Sequence, residues 1–133
     1  MADDVLIIDD NLDVRTLLVD SLTLLGVKSR QAINGLEALK VIEEEPPKAI
    51  ILDLMMPVMD GFTTLARLQS KKETKGIPII LLSAIADRAP EVEKLPGVVG
   101  VMNKGRYSLQ GIRDLLAKAG IEDLAELAPR FAA

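Results

Sequence analysis

Two patterns of apolar residues alternate along this chain: short unbroken runs, and longer stretches in which apolar residues recur every three or four positions. Unbroken runs are typical of strands buried on both faces, and the recurring spacing is typical of helices that bury one face. Near-continuous runs predict strands at 4–9, 48–53 and 77–83. Residues 27–32 and 98–102 complete a set of five predicted strands.

The predicted helices lie between these strands, and capping and breaking residues set their bounds. Asn11 is typical of a helix N-cap, and Gly26 supplies the matching stop. Further helices are predicted from about Leu36 to the residue before Pro46, around Leu65 and Leu68, and from about Ser108 to Lys118. Between Pro90 and Pro96 there is room only for a short fourth helix, because the second proline ends it.

Alternation of five strands with helices predicts an α/β fold, a doubly wound parallel sheet covered by helices on both faces. In sheets of this kind, ligands bind outside the carboxyl ends of the strands, where the strand order reverses. The residues that follow each predicted strand are therefore the first place to look for a functional site.

The composition of the chain limits the number of domains, the class of partner and the kind of metal site. A chain of 133 residues with 49% hydrophobic content suits one compact domain. Its net charge of -4 gives no electrostatic reason to bind a polyanion, so we expect protein partners and no direct contact with nucleic acid. Cysteine and histidine are both absent, which excludes disulfides, thiolate or imidazole metal ligands, and histidine-assisted nucleophiles within the chain. Any metal must be held by oxygen.

The sequence carries no sign of targeting to a membrane. Its first residues, "MADD", lack the basic start and apolar core of a signal peptide. No apolar run approaches the ~20 residues that span a bilayer. We therefore expect a cytoplasmic protein without a membrane partner.

Charged and polar side chains lie at the ends of four of the predicted strands. They are Asp9 and Asp10, Asp53, Ser83 and Lys104. Singly, each suits an ordinary helix cap, turn or surface position. Together, the three carboxylates concentrate negative charge, and each like pair at ~4 Å costs about 4 kcal/mol at an effective dielectric of ~20. A bound cation is the simplest compensation, and an all-oxygen site of this size favours Mg²⁺, which pairs naturally with phosphate.

The chain resembles the receiver domains of two-component response regulators, and in size it is similar to their single-domain chemotaxis type. The resemblance rests on "DD" after the first strand, "DLMMPVMDG" after the third, "SA" after the fourth and a lysine after the fifth. It implies a flavodoxin-like sheet with strand order 2-1-3-4-5. It also implies a receiver domain over 1–120, followed by a short tail over 121–133.

The resemblance also implies a role for each site residue. Asp53 would be the phosphoacceptor, and Lys104 and Ser83 would contact the phosphoryl group. The expected Mg²⁺ ligands are Asp9, Asp10, Asp53 and the backbone carbonyl of Met55. The expected phosphodonor is a sensor histidine kinase or a phosphotransfer protein, and the expected output is a conformational change read by a downstream protein. Such a domain is regulatory rather than an enzyme, although it assists its own phosphotransfer and dephosphorylation.

Several positions depart from the family pattern. Val101 stands where the family usually has an aromatic switch residue, three positions before the lysine, and Gly105 replaces the usual proline after it. Met55 and Ile85 occupy the two positions that flank the path of the attacking water in the family. Neither can orient a water by a strong hydrogen bond, so we expect slow hydrolysis of the acyl phosphate.

Two alternative functions remain open at this point. A Mg²⁺-dependent phosphohydrolase with an Asp nucleophile would suit the same sheet, but such enzymes generally need a carboxylate two residues after the nucleophile, where this chain has Met55. A phosphorylation-independent adaptor with the same fold would not need the whole set of site residues. The chain is either a stand-alone regulator or a receiver separated from a longer protein.

Apolar residues also mark the C-terminal tail. Ile121, Leu124 and Leu127 recur at three-residue spacing after a helix stop at Gly120. This spacing is compatible with a helix, and packing back onto the domain is the favoured interpretation. A docking segment or the start of a linker is the alternative.

Overall fold

The computed structural model describes residues 3–84 and 89–127. In this part of the chain five strands alternate with five helices. In chain order they are β1 Val5–Ile8, α1 Leu12–Leu24, β2 Ser29–Ala32, α2 Gly35–Glu44, β3 Ala49–Asp53, α3 Gly61–Gln69, β4 Ile79–Ser83, α4 Ala89–Val92, β5 Val98–Asn103 and α5 Leu109–Lys118. No helix within the described ranges is long and apolar enough to cross a membrane.

The five strands form one parallel sheet in the order β2-β1-β3-β4-β5. Both the predicted fold class and the predicted strand order are confirmed. The order in which the strands are added reverses between β1 and β3, where Ile8 pairs with Leu52. Asp9 follows Ile8 and Asp53 follows Leu52, so these two residues lie side by side at the carboxyl edge.

The sheet separates two apolar clusters, and alternate strand residues enter each of them. Leu6 and Ile8 join the cluster beneath α2, α3 and α4. Val5 and Ile7 join the cluster beneath α1 and α5. Because both faces are covered, β1, β3 and β4 are buried along their whole length, which accounts for their unbroken apolar sequences.

Side-chain caps fix where the helices next to the carboxyl edge begin. The side chain of Asn11 accepts a hydrogen bond from Val14 N at 3.1 Å, and that of Ser108 accepts one from Gly111 N at 2.9 Å. Each cap satisfies a backbone N–H that has no partner inside its helix and contributes roughly 1 kcal/mol. Both predicted helix starts are confirmed.

The fourth helix is a single turn, as the two prolines predict. Its last residue, Val92, packs with Leu95 against the cluster on that face of the sheet. Val101, at the position of the missing aromatic, packs against the same cluster. Ile85 lies outside the described residues, so the expectations that rest on it stay predictions.

The tail packs onto the domain but forms no helix over 121–127. Its three apolar residues contact the cluster beneath α1 and α5, so the favoured interpretation is confirmed for this part of the tail. Backbone partners elsewhere explain the missing helix: Ala125 N donates to Leu25 O at 2.9 Å, and Arg113 Nε donates to Ala125 O at 3.0 Å. The strap, as we call residues 121–127, thereby ties the end of α1 to α5.

If the strap stabilises the domain, shortening one of its apolar contacts should cost free energy of unfolding. Because Leu124 is half-buried, we expect Leu124→Ala to lower that free energy by about 1–2 kcal/mol, below the range for fully buried leucines. Leu24→Ala is the matched control, since Leu24 is exposed on α1, and it should change stability by no more than about 0.5 kcal/mol. Urea unfolding of both variants measures this, and equal effects would contradict a stabilising strap.

Candidate functional site

The carboxyl edge of the sheet gathers three carboxylates from two strands. One oxygen of each of Asp9, Asp10 and Asp53 lies within 4.8 Å of the others. Asp9 and Asp53 are buried, whereas Asp10 is exposed to solvent. The structure thus brings together the three acidic residues that the sequence places after β1 and at the end of β3.

Asp9 is held from both its side chain and its backbone. Its Oδ1 accepts a hydrogen bond from Asn11 N at 2.8 Å, and its carbonyl oxygen accepts one from Arg15 Nη1 at 2.8 Å. The cap residue of α1 thus also positions a buried carboxylate. Sequence reasoning missed Arg15, because no spacing distinguishes it from any other polar residue on the outer face of a helix.

Asp53 is a buried carboxylate that accepts two hydrogen bonds. Met55 N donates to its Oδ1 at 3.2 Å, and Lys104 Nζ donates to its Oδ2 at 2.9 Å. Burial raises the pKa of Asp53, and the nearby charge of Asp9 adds to this, while the two donors act in the opposite direction. The net pKa lies above the usual value, so the environment does not fully compensate the negative charge of Asp53.

Lys104 bridges the two buried carboxylates. Its ammonium lies 2.9 Å from Asp53 Oδ2 and 3.1 Å from Asp9 Oδ2, but only the contact with Asp53 has the direction of a hydrogen bond. Burial lowers the pKa of Lys104, yet these two carboxylates outweigh it, and the net pKa is raised. Three carboxylates and one ammonium leave two formal negative charges at this edge.

Ser83 ends β4 beside Lys104. It is buried, it pairs with Asn103 across the sheet, and its carbonyl oxygen accepts a hydrogen bond from Lys104 N at 3.0 Å. The structure therefore places Ser83 at the same edge as the acidic cluster. Met55 is 70% exposed, and the expected role of its carbonyl as a metal ligand stays a prediction.

Gly61 permits a close approach that the site depends on. A Cβ at this position would meet the carbonyl oxygen of Asp53 and would lie 2.6 Å from Leu54 Cα. Only glycine lets α3 begin directly against the strand end that carries Asp53. Before Gly61, the loop turns tightly through Val58, which has a φ of 70° and is exposed.

Comparison with known sequences identifies one matching family. The model of the response regulator receiver domain matches residues 5–110. A probable chemotaxis protein CheY from Rhizobium etli is 41% identical over 86 residues, which cover 64% of this chain and 67% of that protein. A probable transcriptional regulator ycf27 from Cyanidium caldarium is 40% identical over 90 residues, 68% of this chain but 35% of the relative. The chain thus spans about a third of the length of its ycf27 relatives.

Solved structures share the same architecture. The chemotaxis protein CheY4 of Vibrio cholerae superposes with a TM-score of 0.78 at 25% identity, over 90% of this chain and 99% of that one. The receiver domain of the sensor histidine kinase PA1611 from Pseudomonas aeruginosa, solved with a magnesium ion coordinated in its active-site cleft, gives 0.76 at 24% identity over 90% of this chain and 99% of that one. At 24% identity, the similarity to the PA1611 receiver domain shows a shared fold and no more.

The close approach at Gly61 predicts a large effect of one added methyl group. Gly61→Ala should lower the free energy of unfolding by about 1–3 kcal/mol, because the strand end must move to admit the Cβ. Gly76→Ala is the matched control, since a Cβ there meets nothing within 4 Å and φ is not positive. Urea unfolding compares the two, and a neutral Gly61→Ala would contradict the packing argument.

The raised pKa of Asp53 predicts that its charge destabilises the metal-free fold. Because the folded pKa lies above the unfolded value of 3.8, folding free energy is lost as pH rises through the range above that value. Asp53→Asn should therefore be more stable than the wild type at neutral pH in Mg²⁺-free buffer, with the difference vanishing below about pH 3.8. Thermal unfolding across this range tests it, with exposed Asp20→Asn as the control. A less stable Asp53→Asn at neutral pH would be inconsistent with this argument.

Proposed function

The chain belongs to the response regulator receiver domain family, the phosphoacceptors of two-component signalling, and from this we propose that Asp53 is the residue that takes the phosphoryl group. The observation that carries the proposal is the position of Asp53. It is a buried carboxylate at the end of β3, hydrogen-bonded to an ammonium group and beside two further carboxylates. A carboxylate that keeps negative charge in such a site is a suitable nucleophile.

The donor set at this edge fits Mg²⁺. Three carboxylates with two uncompensated negative charges, in a chain without cysteine or histidine, offer the hard oxygen ligands that Mg²⁺ prefers. Asp9, Asp10 and Asp53 would hold the ion, together with the Met55 carbonyl. Bound there, Mg²⁺ would offset the repulsion between these carboxylates and the oxygens of an incoming phosphoryl group.

The transfer itself forms one bond and breaks one. A carboxylate oxygen of Asp53 attacks phosphorus, a P–O bond forms, and the bond from phosphorus to the donor breaks with its electron pair leaving on the donor. In our proposal the donor is a phosphohistidine on a sensor kinase or phosphotransfer protein. Lys104 then hydrogen-bonds the phosphoryl oxygens, which carry more negative charge than the carboxylate it leaves.

Ser83 is our candidate for sensing the phosphoryl group. Its position at the end of β4, beside Lys104, suits a hydroxyl that hydrogen-bonds the new phosphoryl oxygens. Val101 has no ring to reorient, so we propose that the signal passes through Ser83 and the segment that follows β4. A state change needs contacts that differ between two states, and this hydroxyl would supply one.

The surface around the acidic cluster suits a protein partner. Four exposed apolar side chains lie on the elements that leave the carboxyl edge, namely Leu12, Met55, Val58 and Phe62. Exposed apolar patches rimmed by polar residues mark protein interaction sites, and the net charge of -4 disfavours a polyanion. We propose that the phosphodonor protein docks on these residues.

Phosphorylation from a small donor tests the assignment directly. With Mg²⁺ and acetyl phosphate, intact mass should show one added phosphoryl group on the wild type and none on Asp53→Asn. Asp10→Asn should weaken Mg²⁺ binding about tenfold or more and slow phosphorylation, because it removes a ligand. Asp20→Asn, an exposed α1 carboxylate outside the cluster, should behave as the wild type.

The alternatives give different results in the same experiment. A wild type that gains no phosphoryl group would favour an adaptor without phosphorylation. Turnover of many phosphoesters per chain would favour a phosphohydrolase. Unchanged Mg²⁺ affinity in both Asp10→Asn and Asp53→Asn would contradict the metal site.

A further inference from the structure

The guanidinium group of Arg15 connects α1 and β2 to the residue that follows β1. From the first turn of α1, its Nη1 donates to the carbonyl oxygen of Asp9 at 2.8 Å, and its Nε donates to Gln31 Oε1 on β2 at 3.0 Å. A guanidinium holds its donors in a rigid, planar fork, so two contacts fix its orientation as well as its position. We call this arrangement of Gln31, Arg15 and the Asp9 carbonyl the Arg15 clamp.

The position of Arg15 is not favourable for α1 itself. The start of a helix carries partial positive charge, and cations stabilise a helix at its last turn. Arg15 lies at the opposite end, in the first turn of α1. Helix stability therefore does not account for an arginine here, and the two hydrogen bonds of the clamp indicate a contribution outside the helix.

The carbonyl that Arg15 binds belongs to the peptide group between Asp9 and Asp10. Because a peptide group is planar, the direction of this carbonyl also sets the direction in which the chain enters Asp10. Asp9 has two further contacts: its N donates to Ala32 O at 3.2 Å, and its Oδ1 accepts from Asn11 N at 2.8 Å. Asp10 is exposed, so the position of its carboxylate depends on the backbone that carries it.

Two adjacent carboxylates bind one ion only if the backbone between them holds them together. Mg²⁺ demands near-ideal octahedral geometry, with ligands at about 2.0–2.1 Å, so it tolerates little displacement of a ligand. One oxygen of Asp9 and one of Asp10 lie within 4.8 Å of each other, and their repulsion favours movement of the exposed carboxylate away from the buried one. The clamp opposes that movement through the peptide group.

We propose that Arg15, supported by Gln31, is a positioning residue that sets the affinity of the acidic cluster for Mg²⁺. It holds the peptide group between Asp9 and Asp10 in the orientation in which both carboxylates reach one ion. The inference rests on the proposed function, in which these carboxylates are Mg²⁺ ligands. Arg15 itself contacts a ligand through the backbone and does not touch the ion.

The charge of Arg15 makes the sign of the effect informative. A guanidinium 2.8 Å from the carbonyl oxygen of an Mg²⁺ ligand repels the ion, so removal of its charge should by itself strengthen Mg²⁺ binding. Loss of positioning should weaken binding, and partners that orient metal ligands typically contribute about 10–100-fold in affinity. Arg15→Met keeps a long side chain without a donor. We expect it to weaken Mg²⁺ binding about tenfold.

Gln31 provides a test that changes no charge. It is exposed, and a solvent-exposed hydrogen bond contributes little, so Gln31→Met should weaken Mg²⁺ binding only about two- to threefold. Because Gln31 acts through Arg15, the same substitution should have no further effect in Arg15→Met. NMR titration with Mg²⁺ alone measures the affinities of the wild type, both single variants and the double variant, which together form a double-mutant cycle.

Arg113→Met is the matched control. Arg113 also donates its Nε from a helix to a backbone carbonyl, that of Ala125 in the strap, at 3.0 Å. Its replacement should lower the free energy of unfolding but leave Mg²⁺ affinity at the wild-type value. Weaker Mg²⁺ binding in Arg15→Met and Gln31→Met would then not come from destabilisation of the fold in general.

The metal-free protein provides a second readout. In the wild type, the Nε proton of Arg15 is held by Gln31, and its exchange with water should be slower than in Gln31→Met. In Arg113→Met the exchange should stay at the wild-type rate. NMR of the arginine side chains measures these rates without any bound ion.

Two results would overturn the proposal while leaving the proposed function intact. One is an Mg²⁺ affinity of Arg15→Met that equals or exceeds that of the wild type, since positioning would then contribute nothing. The other is a full effect of Gln31→Met in the Arg15→Met background. Failure of the proposed function appears separately, as a wild type that binds no Mg²⁺, and it would overturn the role of Arg15 as well.

Discussion

Repulsion among three carboxylates is the constraint on which this structure depends. The parallel pairing of β1 with β3 brings Asp9 beside Asp53, and the sheet cannot keep this register without holding two buried negative charges together. Lys104, which follows the edge strand β5, compensates only part of that charge. The remaining negative charge is unfavourable in the free protein, and for that reason this edge favours a bound cation and suits phosphoryl transfer.

The surrounding elements restrain the groups that repel one another. Asn11 caps α1 and also binds Asp9, and Gly61 lets α3 begin against the carbonyl of Asp53. A helix start and a functional carboxylate are thus fixed by the same few atoms. Loss of either restraint would let the carboxylates move apart, which lowers their repulsion and also their capacity to bind a metal together.

Much of the fold could be predicted because strands that are buried on both faces have unbroken apolar sequences. The runs in β1, β3 and β4 are unbroken, and their positions were predicted to within one or two residues. The predicted starts of β2 and β4 are too early, because backbone hydrogen bonds decide where these strands begin. Val27 donates to the end of α1, so β2 begins later, at Ser29, and β4 begins after Pro78, which has no N–H to donate.

The site could be predicted to the extent that parallel strands end at one edge. That rule locates Asp9, Asp10, Asp53, Ser83 and Lys104. It cannot find Arg15 or the close approach at Gly61, because these depend on side-chain direction and on the distance between elements, which residue spacing does not encode. The tail illustrates the same limit: its spacing is compatible with a helix, but hydrogen bonds to Leu25 and Arg113 decide its conformation.

The strap also has a consequence for the order in which the molecule is built. The hydrogen bond between Ala125 and Leu25 joins residues a hundred positions apart, so it closes a loop that contains most of the domain. Long-range contacts of this kind form late, because the entropy of loop closure must be met before they contribute. During synthesis, this hydrogen bond can therefore form only after Ala125 has left the ribosome. Until then, the apolar surface that the strap covers on α1 and α5 is open to other chains.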